Sequence, residues 1–77
     1  MLVWVIYDIS ENSIRSRVAK LCKNYGLFRV QKSAFLGDLN RNESDSLALE
    51  CQEAIEETDS VYVFPMCEDC FEKIKLI

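Results

Sequence analysis

The chain has 77 residues, 49% of them hydrophobic, and nine basic against thirteen acidic side chains give a net charge of −4. That length makes one small domain, residues 1–77, which buries only about 60% of its unfolded surface and gains from association. No run approaches the roughly 20 apolar residues of a membrane helix and no signal-peptide pattern opens the chain, so a soluble, cytoplasmic protein is expected, and the lack of histidine excludes imidazole catalysis and mixed Cys/His zinc sites.

Leu2-Val3-Trp4-Val5-Ile6-Tyr7 reads as a central strand buried on both faces. Asp8 follows at its C-terminal end, where open sheets present functional groups. Ser10 and Asn12 then offer N-cap oxygens for a helix with an inward stripe of Ile14, Val18, Leu21, Cys22 and Tyr25. Gly26 supplies the left-handed position that ends it. Residues 27–39 are extended, with Phe28 and Val30 alternating against Arg29 and Gln31. No Gly, Asn or Pro marks a turn, so one bent strand and a tight hairpin about Lys32 both stay open. Asn42 or Ser44 caps a second helix with the stripe Leu47, Cys51, Ala54, Ile55 and Thr58. Its outward face is acidic: Glu43, Glu50, Glu53, Glu56 and Glu57.

Val61-Tyr62-Val63-Phe64 forms a fourth strand, and Pro65 places its end at a sheet edge. Residues 71–77 alternate again and predict a short fifth strand, on this subunit or on a partner. The order βαββαβ is the α+β, ferredoxin-like motif, an antiparallel sheet with both helices on one face. A sheet-to-sheet homodimer would cover the other face and bring two copies of the first strand near a common axis.

Charge is segregated along the chain. Residues 1–37 carry six basic against two acidic side chains, a balance of +4, whereas residues 38–77 carry three against eleven, a balance of −8. No acid occurs within residues 12–37, where Arg15, Arg17, Lys20, Lys23, Arg29 and Lys32 lie. Such a surface fits salt-sensitive contact with a phosphate backbone rather than base readout; the plainer reading is a solvated face. Arg15 and Arg17 lie about 200° apart around a helix, so they straddle a groove or grip successive phosphates.

Asp8 is a candidate ligand for Mg²⁺. One carboxylate holds the ion weakly, but two copies across a twofold would position a hydrated Mg²⁺ for phosphodiester hydrolysis. Capping of the first helix by Asp8 is an equally good account. Cys67 and Cys70 form one CxxC without a second pair; a small metal carrier or sensor domain is the alternative function they suggest. Cys22 and Cys51 read as buried thiols.

Tyr7-Asp8-Ile9, the Arg15/Arg17 helix, Arg29-Val30-Gln31-x-Ser33-Ala34-Phe35-x-Gly37 and Val61-Tyr62-Val63-Phe64-Pro65 together resemble the second CRISPR-associated protein family, the small adaptation partner of the CRISPR integrase. The likeness runs from residue 2 to about residue 76. It implies a ferredoxin-like homodimer that bridges integrase subunits and holds duplex DNA during spacer acquisition. For some members it implies a Mg²⁺-dependent endonuclease acting on single-stranded RNA or double-stranded DNA. By position, the resemblance places the family's metal aspartate on Asp8 and its neighbouring tyrosine on Tyr7. Its helix arginines fall on Arg15 and Arg17, its strand arginine on Arg29 and its hairpin phenylalanine on Phe35, and Lys20 extends the basic face. It also implies a hairpin for residues 27–39.

Overall fold

In the computed structural model, which describes residues 1–75 and 77, the first apolar run becomes β1 (Leu2–Asp8). α1 (Asn12–Asn24), β2 (Phe28–Gln31), β3 (Ala34–Asp38), α2 (Arg41–Ala54), β4 (Ser60–Met66) and a short α3 (Glu68–Glu72) follow. The four strands make one antiparallel sheet in the order β2-β3-β1-β4. The α+β, βαββαβ topology is therefore as expected, and β4 is an edge strand ending at Pro65 and Met66.

β1 is central but is not buried on both faces. Val3, Val5 and Tyr7 are buried, whereas Leu2 and Trp4 are half-buried and Ile6 and Asp8 exposed. Both helices pack on the Val3 side, so only alternate residues leave water. Phe35, Leu39, Leu47 and Val18 complete the interior with Cys22 and Cys51. Burial, and then the neighbouring Cys51, push the Cys22 thiol up to about 12, and burial pushes Cys51 up to about 11. These thiols are packing groups and stay protonated at neutral pH.

Residues 27–39 form a hairpin. Gln31 pairs with Ala34 across the two-residue turn Lys32-Ser33, and a bulge lies between Arg29 and Gln31. Among the described residues only Gly26 has a positive φ, at 83°. The turn therefore does without the Gly or Asn that primed hairpin turns need, and the bulge supplies the extra local twist. Gly26 closes α1 in a Schellman arrangement: its N–H donates to Lys23 O at 2.9 Å, and the Leu27 N–H donates to Cys22 O at 3.1 Å.

Three local expectations are corrected. The N-cap of α1 is Glu11, without a side-chain capping bond, rather than Ser10 or Asn12. α2 begins earlier than expected: Asn40 caps it, its Oδ1 accepting from the Glu43 N–H at 2.8 Å while Glu43 Oε1 accepts from the Asn40 N–H at 2.9 Å. That reciprocal capping box outcompetes Asn42 and Ser44, and Ser44 turns inward instead. Thiol-capped α3 replaces the fifth strand expected over residues 71–77, with position 76 outside the described residues. Cys67 Sγ accepts from the Cys70 N–H at 3.4 Å, and Glu68 and Asp69 favour a helix start there.

Gly37 marks a close approach. A Cβ on it would lie 2.5 Å from Leu27 Cδ2 and 3.1 Å from Leu27 Cα, the latter being backbone that cannot yield cheaply. Gly37→Ala is expected to destabilise the fold by about 1–3 kcal/mol through overpacking. Urea unfolding should show a lowered midpoint at constant slope.

Candidate nucleic-acid interface

The helix layer stops short of the β2–β3 edge, and α1 and the hairpin turn enclose a groove of about 470 Å³ there. Asn12, Arg15, Ser16 and Ala19 form one wall, Arg29, Lys32 and Ser33 the other, with Tyr7 between them. Among the described residues no carboxylate lines it, so three cationic side chains share one concavity without neutralisation.

The groove is braced from beneath. The Tyr7 N–H donates to Ser33 O at 3.0 Å, and the Tyr7 hydroxyl donates to Lys32 O at 3.3 Å. Arg29 Nη1 donates to the same Lys32 carbonyl at 2.9 Å. The Arg29 guanidinium also sits 5.0 Å from the centroid of the Phe35 ring, which stacks on Tyr7 at 6.4 Å. A cation held over an aromatic face gains roughly 0.5–1 kcal/mol where exposed. One of the five guanidinium donors is used on the turn, so the planar fork is oriented with donors to spare. Burial raises the Tyr7 hydroxyl above the ordinary phenol value, outweighing the opposing Arg29 charge. Tyr7 is thus a hydrogen-bond donor at neutral pH and not a base.

Tyr7, Arg15 and Arg29 are brought together as the sequence suggests, and Lys32, Asn12, Ser16 and Ser33 join them. Lys32 was legible as a cation in the acid-free stretch, but only the hairpin folds it back toward Arg15. Arg17 and Lys20 are exposed on α1 outside the groove. Phe35 has no exposed surface, so it serves the site by seating Arg29 and not by meeting a ligand.

Asp8 lies elsewhere. Alternation along β1 puts Tyr7 on the helix side and Asp8 on the opposite, open face, beside Ser60. Within one chain, then, Asp8 does not share a pocket with Arg15 or Arg17. It belongs with a row that crosses the open face: Phe28, Leu36, Trp4 and Phe64 are successive cross-strand neighbours, and Ile6 pairs with Tyr62. Phe28 is 74% exposed and Tyr62 62%. An apolar row of this kind on a small domain marks an interaction surface.

Asp8 is not the residue that caps α1, since the N-cap is Glu11. Asp59, beside Asp8's cross-strand partner Ser60, is committed: its Oδ1 accepts from the Ser10 N–H at 3.4 Å and its Oδ2 from the Glu56 N–H at 3.0 Å. Among the described residues no group of three or more Cys, Asp or Glu side chains converges as a metal site. One chain therefore supplies a single carboxylate, which suits a largely hydrated Mg²⁺ only if a second copy contributes. Cys67 and Cys70, exposed at the start of α3, have no third ligand beside them among the described residues.

Residues 1–74 match the family model described as CRISPR associated protein Cas2. The chain belongs to the Cas2 family. Among its relatives, a CRISPR-associated endoribonuclease Cas2 of Archaeoglobus fulgidus is 42% identical over 71 residues, 91% of this chain and 76% of that protein. A part of a Cas1/Cas2 endonuclease fusion of Thermoproteus tenax is 51% identical over 39 residues, 51% of this chain and 15% of the fusion. The crystal structure of Streptococcus pyogenes Cas2 superimposes with a TM-score of 0.86 at 26% identity, covering 100% of this chain and 99% of that one. Cas2 membership thus agrees with the resemblance carried by Tyr7-Asp8, the hairpin and the fourth strand. Among the described residues no helix is long and apolar enough to cross a membrane.

Proposed function

We propose that the chain works as a Cas2 homodimer in CRISPR adaptation, bridging Cas1 integrase subunits and holding duplex DNA during spacer acquisition. With it goes Mg²⁺-dependent endonuclease activity on single-stranded RNA or double-stranded DNA. The observation that carries this reading is the acid-free groove of Arg15, Arg29 and Lys32 in a chain of net charge −4. Overall charge opposes nucleic acid, so association depends on cations concentrated at one place. Guanidinium groups there suit bidentate contact with phosphate oxygens, and Asn12, Ser16 and Ser33 add neutral hydrogen-bonding groups. Contacts of this kind hold a backbone without reading bases.

The partner reading is supported by the fusion relative, in which a Cas1 and a Cas2 share one polypeptide. The cleavage reading is supported by the endoribonuclease names of several relatives and by Asp8 at a strand end. The Asp8 carboxylates of two copies would hold a Mg²⁺, which would supply Lewis-acid chemistry toward a phosphodiester oxygen and a water. The chain's own part is to bring two carboxylates together and to fix the backbone through the groove.

Pairing follows from the open face. Trp4, Ile6, Tyr62 and Phe64 are apolar on a surface that the domain itself leaves uncovered, and a second copy buries them. Ile6→Lys places an unpaired ammonium in that interface. The variant is expected to fold with unchanged circular dichroism and to elute as a monomer, with light scattering giving the mass. A dimer of normal stability would remove the open face as the interface.

The reading as a whole is tested by fluorescence anisotropy of a labelled DNA duplex and a labelled single-stranded RNA over a range of salt. Mg²⁺ is then added and the products are resolved on a denaturing gel. Salt-sensitive binding to the duplex is expected, with cleavage of at least one substrate only after the ion is added. No binding to either at low salt would end the proposal.

A further inference from the structure

Cys67 and Cys70 take no part in the function proposed above, yet their placement is chemically specific. Cys67 caps α3 at φ −75° and ψ 159°, its Sγ accepting from the Cys70 N–H at 3.4 Å. The Phe71 N–H donates to Cys67 O at 3.0 Å, so the two cysteines bound a single helical turn. Side chains three apart on a helix have Cβ atoms about 5–6 Å apart. A disulfide needs about 3.5–4.5 Å, so closure requires the backbone of this short terminal turn to tighten, with the χ1 rotamers then bringing the sulfurs together. The Cys70 N–H already points at the Cys67 sulfur, and both thiols are exposed.

We propose that Cys67 and Cys70 form a thiol–disulfide exchange site, closing to an intrachain disulfide by reaction with a small, uncharged organic disulfide. The Cys67 sulfur is the attacking group. Its pKa lies below the ordinary thiol value, first because of the neighbouring Cys70 thiol and then because the Cys70 N–H donates to its sulfur at 3.4 Å. The nearness and charge of the Cys67 sulfur raise Cys70, which stays a thiol until the second step. The Cys67 thiolate attacks one sulfur of the disulfide RSSR, forming a mixed disulfide and expelling RS⁻. Cys70 then gives up its proton and attacks the Cys67 sulfur, expelling the second RS⁻. The chain loses two hydrogens and two electrons, and RSSR is reduced to two RSH once both thiolates are protonated.

The surroundings select the partner. A groove of about 720 Å³ runs past Cys67, its wall made of Asp38, Glu68 and Glu72 as well as Leu2, Met66 and Phe71. Glu68, Asp69 and Glu72 crowd the same short helix, so an anionic disulfide is repelled and a neutral one is favoured. Cys22 and Cys51 are sealed in the core and do not compete.

The test is incubation of the native protein with bis(2-hydroxyethyl) disulfide, an alkylating quench, and mass mapping after unfolding. The wild type is expected to lose two free thiols, linked as Cys67–Cys70 within one chain, while Cys22 and Cys51 become alkylated only on unfolding. Cys70→Ser should stop at a mixed disulfide on Cys67, and Cys67→Ser should react about tenfold more slowly or less, as the less activated thiol. Equal rates for the two variants, a disulfide between chains, or zinc held by these thiols in the purified protein would each overturn the proposal. Circular dichroism of both variants checks that α3, five residues long, is not what holds the fold together.

Discussion

Replacing Arg15 and Arg29 together with alanine is expected to weaken nucleic-acid binding by roughly 150-fold or more, since each lost hydrogen bond to a charged group is worth about 1.5–3 kcal/mol. The diagnostic quantity is the salt dependence. Each phosphate contact contributes about 0.9 to the slope of log affinity against log salt on duplex, and about 0.7 on a single strand. Removing two contacts per groove should flatten the slope by about 1.8 on duplex and about 1.4 on RNA. Arg15 lies on α1 and Arg29 on β2, so only the folded chain makes one surface of them. Arg17→Ala combined with Lys20→Ala is the contrasting variant: it removes an equal charge, outside the groove. If that pair flattens the slope as much as the groove pair does, the groove is not the contact surface and the outer face of α1 is. Phe35→Ala is unsuited to this comparison, because its ring is wholly buried and the loss of packing would dominate.

How far such a site could be read in advance depends on the distance over which each signal acts. The apolar run Leu2–Tyr7 and the stripes of the two helices are local patterns, and together they gave the chain order βαββαβ, with both helices on one face of an antiparallel sheet. The acid-free stretch between Asn12 and Gly37 announced a basic surface. What it could not announce was that Arg15, Arg29 and Lys32 share one cavity while Arg17 does not, because that depends on where the Lys32-Ser33 turn falls. The turn itself was invisible, since its residues keep negative φ and need none of the usual turn residues. The run's reading as doubly buried failed for a related reason: apolar residues on alternate positions can face a helix layer or an uncovered surface, and composition does not say which. Trp4, Ile6 and Phe64 are as apolar as Val3 and Val5, but they lie on the face that α1 and α2 leave open. The fifth strand was misread because alternation over a few residues also fits a helical turn, and the Cys67 cap with two following acids tips that balance.

Asp8→Asn separates cleavage from holding. Asparagine keeps the shape of the side chain and removes its charge, and Asp8 is exposed at the end of β1, so stability should change by no more than about 0.5 kcal/mol. The groove lies on the other side of the sheet, so affinity and salt slope should match the wild type. Hydrolysis should fall by about a hundred- to a thousandfold, the scale on which preorganised electrostatic groups act. A variant that cleaves at the wild-type rate would show that Asp8 is not the ligand, whatever becomes of the binding surface. Mixing asks the further question of whether two chains share the ion. Equal amounts of wild type and variant, dissociated and allowed to re-pair at random, leave about one quarter of the dimers with two carboxylates. Shared coordination therefore predicts about a quarter of the wild-type rate at the same total concentration, whereas independent sites predict about half. Ile6→Lys closes the argument from the other side. A chain that cannot pair keeps Asp8 and its groove intact, so it should retain backbone contact at each groove while losing cleavage altogether. Cleavage by that monomer would mean that one carboxylate suffices, and the twofold would have no part in the chemistry.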